Sequence, residues 1–293
     1  MEANCITFSA IIKLDIGNPN SGYNEDIIST IKKIQYPNGD TYPYISGQAI
    51  RRMVRERLKD FGFEGSPKIE STGKGKSPFS TSCDPEKYAD DDLFGYMDAK
   101  NGISRTSPVR VSPAVALFPF NFERDLGIQN NSDIKQNHRM YETEISSNIL
   151  SYSVLIELDR IGHGDAEAKS GSGTHEWNIG PTEKMRRIEA LLKSFLYLWG
   201  GGKQSRLMTN ESPISIAISI QRIKNPILMG RLQVDSNGNL DDSILHRIIK
   251  DNSDIMLYSN IGVEASAIHS KDFTMTPKAV IDEMVQKLQG ILQ

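Results

Sequence analysis

Cysteine is scarce in this sequence. Among its 293 residues there are only two, Cys5 and Cys83, and they form no CxxC pair. A disulfide framework and a zinc knuckle both need more thiols at closer spacing, so we expect neither. The sequence instead predicts two reduced thiols in a cytosolic protein.

Long apolar runs are also missing. No stretch approaches the ~20 consecutive apolar residues of a membrane-spanning helix. Residues 1–6 have neither the basic start nor the apolar run of a signal peptide. We therefore expect a cytoplasmic protein with no membrane partner.

Positive charge is not in excess. The net charge is −3, with 24% charged and 38% hydrophobic residues, a composition typical of a globular chain. Its length allows one large domain with insertions or two small domains. Freely diffusing nucleic-acid binders are usually strongly basic. An RNA-binding function would therefore require that the positive charge be concentrated on one face.

Recognisable catalytic motifs are absent as well. The sequence has no GxSxG and no HExxH. A Walker A loop needs GxxxxGK[ST] between a strand and a helix, whereas at residues 200–206 Gln204 follows the lysine and a helix comes first. Four side chains of metal-binding type share a glycine-rich segment without helical spacing: His163, Asp165, His175 and Glu176. We expect surface histidines there, and predict no metal site, no cofactor and no enzymatic activity.

Hydrophobic periodicity predicts the elements of the fold. Alternation is strictest over residues 214–220 and is clear over 4–15 and 148–159, which indicates strands. Weaker strand patterns occupy 109–122, 226–234 and 255–258. Helical spacing covers residues 46–61, 182–199, 241–250 and 277–288. This order favours an α+β fold with an RRM-like or ferredoxin-like core and helices on one face of the sheet.

The helix that begins at Ser46 is the first candidate for RNA binding. Arg51, Arg55 and Lys59 lie four residues apart and therefore along one side, next to Arg52. Its first residues present free backbone N–H groups at the positive end of the helix dipole, which favours a phosphate. The predicted contacts are Ser46, Gly47, Gln48, Arg51, Arg52, Arg55 and Lys59. The alternative is a solvated face whose arginines pack over acidic neighbours.

A glycine-rich turn is the second candidate. Three glycines at 200–202 expose backbone amides, and donor side chains follow them. Such a turn suits a nucleic-acid backbone, although a simple helix cap and connector remains the alternative. The predicted contacts here are Gly202, Lys203, Gln204, Ser205 and Arg206. No RNP1 pattern is present, so we expect no base-stacking platform of the usual RRM type.

Four short motifs carry a family resemblance. They occupy residues 42–52, 92–97, 158–162 and 201–205. In this order the chain resembles the DevR group of CRISPR-associated proteins, the backbone subunits of type I Cascade effectors, with subtype I-B as the nearest group. Matches run from about residue 4 to about residue 220.

The resemblance implies a shape like a right hand. The RRM-like palm would comprise residues 1–60 and 146–293, the fingers would be an insertion at 61–145, and residues 161–180 would form the thumb loop. In the family, several copies polymerise along a guide RNA and hold its backbone, while base pairing reads the target DNA. The implied partners are the CRISPR guide RNA, target DNA through the guide, other copies of the chain, other Cascade subunits, and either a helicase-nuclease or transposition proteins.

Two other functions stay open at this point. Relatives in type III systems carry a catalytic aspartate that cuts target RNA, but none of Asp15, Asp26 and Asp165 matches that motif. The family's name also connotes a free RNA-binding regulator. Residues 18–22 differ from the Asn-Pro-Asn-Gly-Asp run of related groups, so the role of this loop stays open.

Overall fold

The computed structural model describes residues 3–25, 27–68, 81–98, 102–129, 139–167 and 174–292. The strands in these ranges are β1 (Cys5–Gly17), β2 (Ser21–Glu25), β3 (Ile28–Ile31), β4 (Lys33–Gln35), β5 (Thr41–Ile45), β6 (Tyr96–Asp98), β7 (Ile103–Arg105), β8 (Val109–Val111), β9 (Ala114–Ala116), β10 (Glu123–Gln129), β11 (Arg139–Glu157), β12 (His163–Glu167), β13 (Thr174–Asn178), β14 (Pro213–Gln221) and β15 (Met256–Val263). The α-helices are α1 (Gly47–Leu58), α2 (Ala89–Phe94), α3 (Gly180–Leu196), α4 (Gln204–Leu207), α5 (Asp242–Asp251) and α6 (Pro277–Leu292). Short 3-10 turns follow α1 and β11 at Lys59–Phe61 and Leu158–Arg160.

A large, mainly antiparallel sheet organises the molecule. Strand β1 lies between β11 and β14, and both pairs are antiparallel. The order along the sheet is β15-β14-β1-β11-β9-β5-β4, with β8 also paired to β11. The first half of β11 pairs with β10 in antiparallel orientation, and β3 pairs with the same part of β11 in parallel orientation. The α+β expectation is confirmed at this level.

The main core lies between this sheet and three helices. Alternate residues of β1, such as Phe8, pack against residues of α1, α3 and α6, such as Met53, Phe195 and Met284. The ring centroids of Phe8 and Phe195 are 5.1 Å apart, in an edge-to-face arrangement. Full burial of each such side chain stabilises the fold by about 1.5–3 kcal/mol. This core holds α1 and α3 on one face of the sheet.

The opposite face of the sheet is covered too, over β1 and β14. Alternation predicts a half-buried β1, yet Ser9 is fully buried on this second face. Its hydroxyl donates to the carbonyl of Leu228 at 2.7 Å, and Leu228 and Leu232 pack with Ile11. Hydroxyl groups can be buried here because they are hydrogen-bonded. The central strands therefore offer no open platform on which bases could stack.

The segment that makes this cover was predicted wrongly. Residues 226–234 do not form a strand but a series of turns, with one isolated bridge from Val234 to Leu240. A turn at Gly230, where φ is +71°, directs the chain across the sheet. The alternating pattern in this segment reflects side chains that reach down onto the sheet. The predicted helices, by contrast, are confirmed to within a few residues.

Several elements have no counterpart in the sequence prediction. The hairpins β2–β3 and β4–β5 and strand β10 fall outside the predicted strands, and β11 begins nine residues before 148, at Arg139. Within the expected fingers range, β8 and β9 pair with β11 of the central sheet. The expected thumb range contains the antiparallel pair β12–β13, and residues 168–173 between them lie outside the described residues.

A buried ionic cluster ties α2 to the rest of the protein. The carboxylate of Asp92 receives Arg187 Nη1 at 3.0 Å and Arg105 Nη2 at 2.7 Å. It also accepts the backbone N–H of Gly162 at 3.0 Å. Arg187 donates further to the carbonyl of Pro85 at 2.7 Å. This cluster joins α2, β7, α3 and the start of the β12–β13 hairpin.

Neither cysteine is bonded to another, and Cys5 is buried in β1. Among the helices that the structure describes, none has the length and apolar character needed to cross a bilayer.

Candidate nucleic-acid interface

The loop at residues 18–20 brings the two predicted RNA-binding segments together. The N–H of Gly202 donates to the carbonyl of Pro19 at 2.9 Å, and the N–H of Ser46 donates to Asn20 Oδ1 at 2.8 Å. The loop therefore contacts the start of α1 on one side and the glycine turn on the other. We call residues 18–20, 46–48 and 200–206 the junction.

The N-terminus of α1 has the predicted cap. Ser46 Oγ accepts the backbone N–H of Ala49 at 3.3 Å, and Gln48 is exposed. Gly47 is buried, and a Cβ there would lie 2.3 Å from the carbonyl oxygen of Val111. Glycine is thus required for the close approach of α1 to β8, a structural role that its position at a helix start does not reveal.

The basic residues of α1 separate into two groups. Arg51 and Arg55 lie over the ring of Phe94 in α2, at 5.5 and 4.6 Å, and Arg51 donates to the Phe94 carbonyl at 2.6 Å. Burial lowers the pKa of both guanidinium groups. These two arginines therefore hold α2 against α1, and they pack on an aromatic ring, whereas the alternative interpretation expects a solvated face over acidic neighbours. Arg52 and Lys59 are exposed and can reach a ligand.

The glycine turn presents its side chains around a short helix. Lys203 has a left-handed backbone, with φ of 64°, and is partly exposed. The amide of Gln204 donates to the Gly200 carbonyl and to Thr209 Oγ1 at 2.5 Å, so it closes the turn. Ser205 is exposed. Of these residues, Lys203 and Ser205 are available to a phosphate.

Arg206 points away from α1 and packs on the β10–β11 ribbon. It donates to the carboxylate of Asp125, and its guanidinium lies 4.8 Å from the ring centroid of Tyr141. The side chain of Arg206 is 28% exposed. The junction is therefore continuous with this ribbon, a contact that no spacing in the sequence indicates.

Glu211 supports the junction and was not predicted. It is buried, and its Oε2 accepts the backbone N–H of Gly200 at 3.1 Å. Burial raises the pKa of this carboxyl group, while hydrogen bonds from Thr209 and Gly200 lower it. A single glutamate in a polar loop carries no sequence signal, so only the fold could reveal its role.

The position of Gly201 leads to a testable expectation. Its φ is +82° and a Cβ would lie 2.5 Å from the carbonyl oxygen of Pro19, whereas Gly62 has φ of +80° and no neighbour within 4 Å. Both glycine-to-alanine changes should cost about 1–2 kcal/mol for the left-handed backbone. Gly201→Ala should cost about 1–3 kcal/mol more because it overpacks the junction. Urea unfolding of the two variants measures the difference, and equal losses would contradict the close packing.

The candidate acids Asp15 and Asp165 lie on different strands, and the four candidate metal ligands all fall on the β12–β13 hairpin, where Asp165 is opposite Glu176. Asp15 is exposed and pairs with Lys13 at 2.8 Å. Asp26 lies outside the described residues, and only the backbone of Asp165 is described. Over the described ranges, no three His, Cys, Asp or Glu side chains are placed to hold a metal ion. The junction instead offers exposed cations beside fixed backbone amides, an arrangement suited to a phosphodiester backbone.

Comparison with known proteins points in the same direction. Residues 20–220 match the profile of a protein family described as CRISPR-associated negative auto-regulator DevR/Csa2. No curated protein sequence matches the chain. A chain from a CRISPR RNA-guided surveillance complex is similar in structure, with a TM-score of 0.56 and 16% identity over 97% of this chain and 99% of that one. A chain from a pre-nicking CRISPR RNA-guided surveillance complex has a TM-score of 0.57 and 13% identity over the same shares. At these identities the likeness shows a shared fold.

Proposed function

Because the chain belongs to the DevR/Csa2 family of CRISPR-associated proteins, we propose that it is a non-catalytic subunit of a type I Cascade effector that binds the CRISPR guide RNA. The observation that carries this proposal is the junction. Two segments separated by more than 150 residues meet at the loop of residues 18–20. The glycine turn offers exposed Ser205 and partly exposed Lys203, and α1, which begins at the junction, offers exposed Arg52.

The chemistry of the junction fits a backbone rather than a base sequence. Cations and hydroxyl groups bind phosphates without regard to sequence, and such contacts dominate nucleic-acid affinity. Guide-directed effectors leave sequence recognition to base pairing. A net charge of −3 is compatible with this role, because only the junction needs to be basic.

The topology supports the palm of the right-hand description. Strands β14, β1, β11 and β9 are adjacent in that order and antiparallel, and α1 and α3 share one face. This is the arrangement of a ferredoxin-like unit, in which each of two helices follows one of the central strands. The β12–β13 hairpin would be the thumb. The elements between α1 and β8 would belong to the fingers, anchored through Asp92.

We further propose that several copies line up along one guide RNA in the cytoplasm. Each copy would hold a short stretch of phosphates and leave the bases free to pair with target DNA. Other Cascade subunits would complete the effector, and either a helicase-nuclease or transposition proteins would act on the bound target.

Co-expression with a CRISPR array and the neighbouring genes tests this function. We expect the chain to copurify with one discrete guide RNA, in several copies per guide, because a polymer on RNA has its length set by the RNA. Native mass spectrometry gives both the copy number and the RNA mass. A monomer free of nucleic acid would refute the proposal, and cleavage of complementary RNA by the purified complex would refute its non-catalytic part.

A further inference from the structure

Part of the second sheet face remains open. The segment at 226–240 covers β1 and β14, but beyond β11 the face is exposed toward β9 and β5. A groove of about 440 Å³ lies here, between these strands and the turn at residues 229–234. This volume falls within the range of small-ligand sites, about 300–1,000 Å³.

Two tyrosines form one wall of the groove. The ring centroids of Tyr36 and Tyr42 are 4.8 Å apart, with planes inclined at 67°. The two rings therefore make an edge-to-face contact that restrains Tyr36, while Tyr36 remains 46% exposed. Met229, which is 53% exposed, also lines the groove. An aromatic face and a polarizable thioether are both good partners for a flat ring.

The remaining lining is apolar at its floor and polar at its margin. Val115 of β9 and Leu117, which follows this strand, form the floor. Ser112 Oγ donates to the Pro113 carbonyl at 3.0 Å. Gln233 Nε2 donates to the Gly230 carbonyl at 3.0 Å, which leaves its Oε1 as an acceptor. Hydrogen-bonding groups beside apolar surfaces match the edge and the faces of a nucleobase.

Charge distinguishes a base from other occupants. Among the described residues that line the groove, none carries a charged side chain. A phosphate or an acidic peptide would leave its charge uncompensated there, and such burial is costly. A neutral, planar ring suffers no such cost.

The groove also adjoins the junction. Ser112, on its lining, packs against the start of α1, since a Cβ on Gly47 would lie 3.4 Å from the Ser112 carbonyl carbon. Tyr42 lies on β5, the strand that leads into Ser46. A strand held by its phosphate at the start of α1 could thus place a neighbouring base over β5.

We infer that the groove between Tyr36, Tyr42 and Met229 binds one unpaired nucleobase of the nucleic-acid strand held at the junction. This inference rests on the proposed function for the strand. The site is offset from the usual RRM platform, because β1 and β14 are covered while the groove lies over β11, β9 and β5. The base could come from the guide RNA or from the target DNA, which share the same chemistry.

Photo-crosslinking of the assembled complex tests the inference. Single 4-thiouridines would be placed along the guide, or single 4-thiothymidines along the target strand, and crosslinked residues identified by mass spectrometry. We expect crosslinks at Tyr36, Tyr42 or Met229 from one of the two strands, and the responsive strand identifies the source. Crosslinks confined to residues 46–48 and 200–206 would overturn the base site while leaving guide binding intact. A complex without RNA would overturn both proposals.

Tyr36→Ala provides an independent measure. It should lower the affinity for the strand that crosslinks to the groove, guide RNA or target DNA, roughly tenfold, because one stacked base is lost, whereas Tyr36→Phe should retain the affinity. Tyr23→Ala is the matched control, since Tyr23 is 93% exposed and does not line the groove. Met229→Ala removes another exposed side chain of the groove, and it replaces Tyr36→Ala as the test variant if Tyr36→Ala does not fold. Unchanged affinity for both guide RNA and target DNA in both groove variants, or a loss confined to contacts between protein copies, would overturn the inference.

Discussion

Replacing Asp92 by asparagine is expected to lower the free energy of unfolding by about 3–5 kcal/mol, the usual cost of breaking a buried ion pair from one side. The side chain of Asp92 is fully buried, and those of its partners Arg187 and Arg105 are 2% and 9% exposed. An asparagine removes the carboxylate partner of buried Arg105 and leaves buried Arg187 with Glu183 alone, at 3.3 Å. Its amide also has N–H donors facing other donors, including the N–H of Gly162.

A matched control separates burial from charge. Asp15→Asn removes the same charge from an ion pair with Lys13, but the two side chains are 80% and 52% exposed. Such exposed ion pairs contribute about 0–1 kcal/mol to the free energy of unfolding, because water screens the attraction between the two charges. Urea unfolding of both variants gives the comparison. Similar losses in the two variants would show that the Asp92 cluster is no more important than a surface pair.

Unfolding of the Asp92→Asn variant should begin in the elements that Asp92 connects. Asp92 joins α2 to α3 and to the start of the β12–β13 hairpin. Hydrogen exchange in the Asp92→Asn variant should therefore rise first in residues 89–98, 163–167 and 174–178, while β1 and β14 stay protected.

Neutralising Arg52 and Lys203 together is expected to weaken guide-RNA binding roughly 100-fold or more near physiological salt, since charge-assisted contacts contribute about 1.5–3 kcal/mol each and two are removed. Arg52 is 82% exposed and pairs with Glu56 at 3.3 Å, so a phosphate can replace that partner. Lys203 lies across the loop of residues 18–20 from α1. Glutamine at both positions removes charge and retains chain length.

The salt dependence supplies the sharper signature. Each lost phosphate contact should make the slope of log affinity against log salt shallower by about 0.7 for a single strand. The control is Arg247→Gln with Lys250→Gln, which removes the same charge from exposed positions on α5. If the control changes affinity and slope as much as the junction variant, RNA binding depends on overall charge and not on the junction.

Much of the secondary structure could be predicted because it depends on local periodicity. The strictly alternating isoleucines of β14 and the apolar stripes of α1 and α3 each determine one buried face, whatever packs against it. The failure at 226–234 has the same origin. Alternation records which side chains face an apolar surface, and a turning segment laid on a sheet produces it as readily as a paired strand.

The candidate site could be predicted only in part. Charge spacing identified the basic side of α1, yet it could not tell Arg51 from Arg52. The two differ because Phe94 of α2, 43 residues further along the chain, covers one and not the other. The same limit applies to Glu211, whose role depends on the position of Gly200.

The sequence by itself determined the family and the α+β character, and it singled out residues 46–48 and 200–206 of the junction, because each of these depends on short motifs or on local periodicity. Only the tertiary structure decided how they meet. It placed residues 18–20 between Ser46 and Gly202, turned Arg51 and Arg55 inward, and covered the second face of the sheet except at the groove. These outcomes depend on contacts between residues far apart in the chain, and the energies of such contacts depend on geometry that no local pattern records.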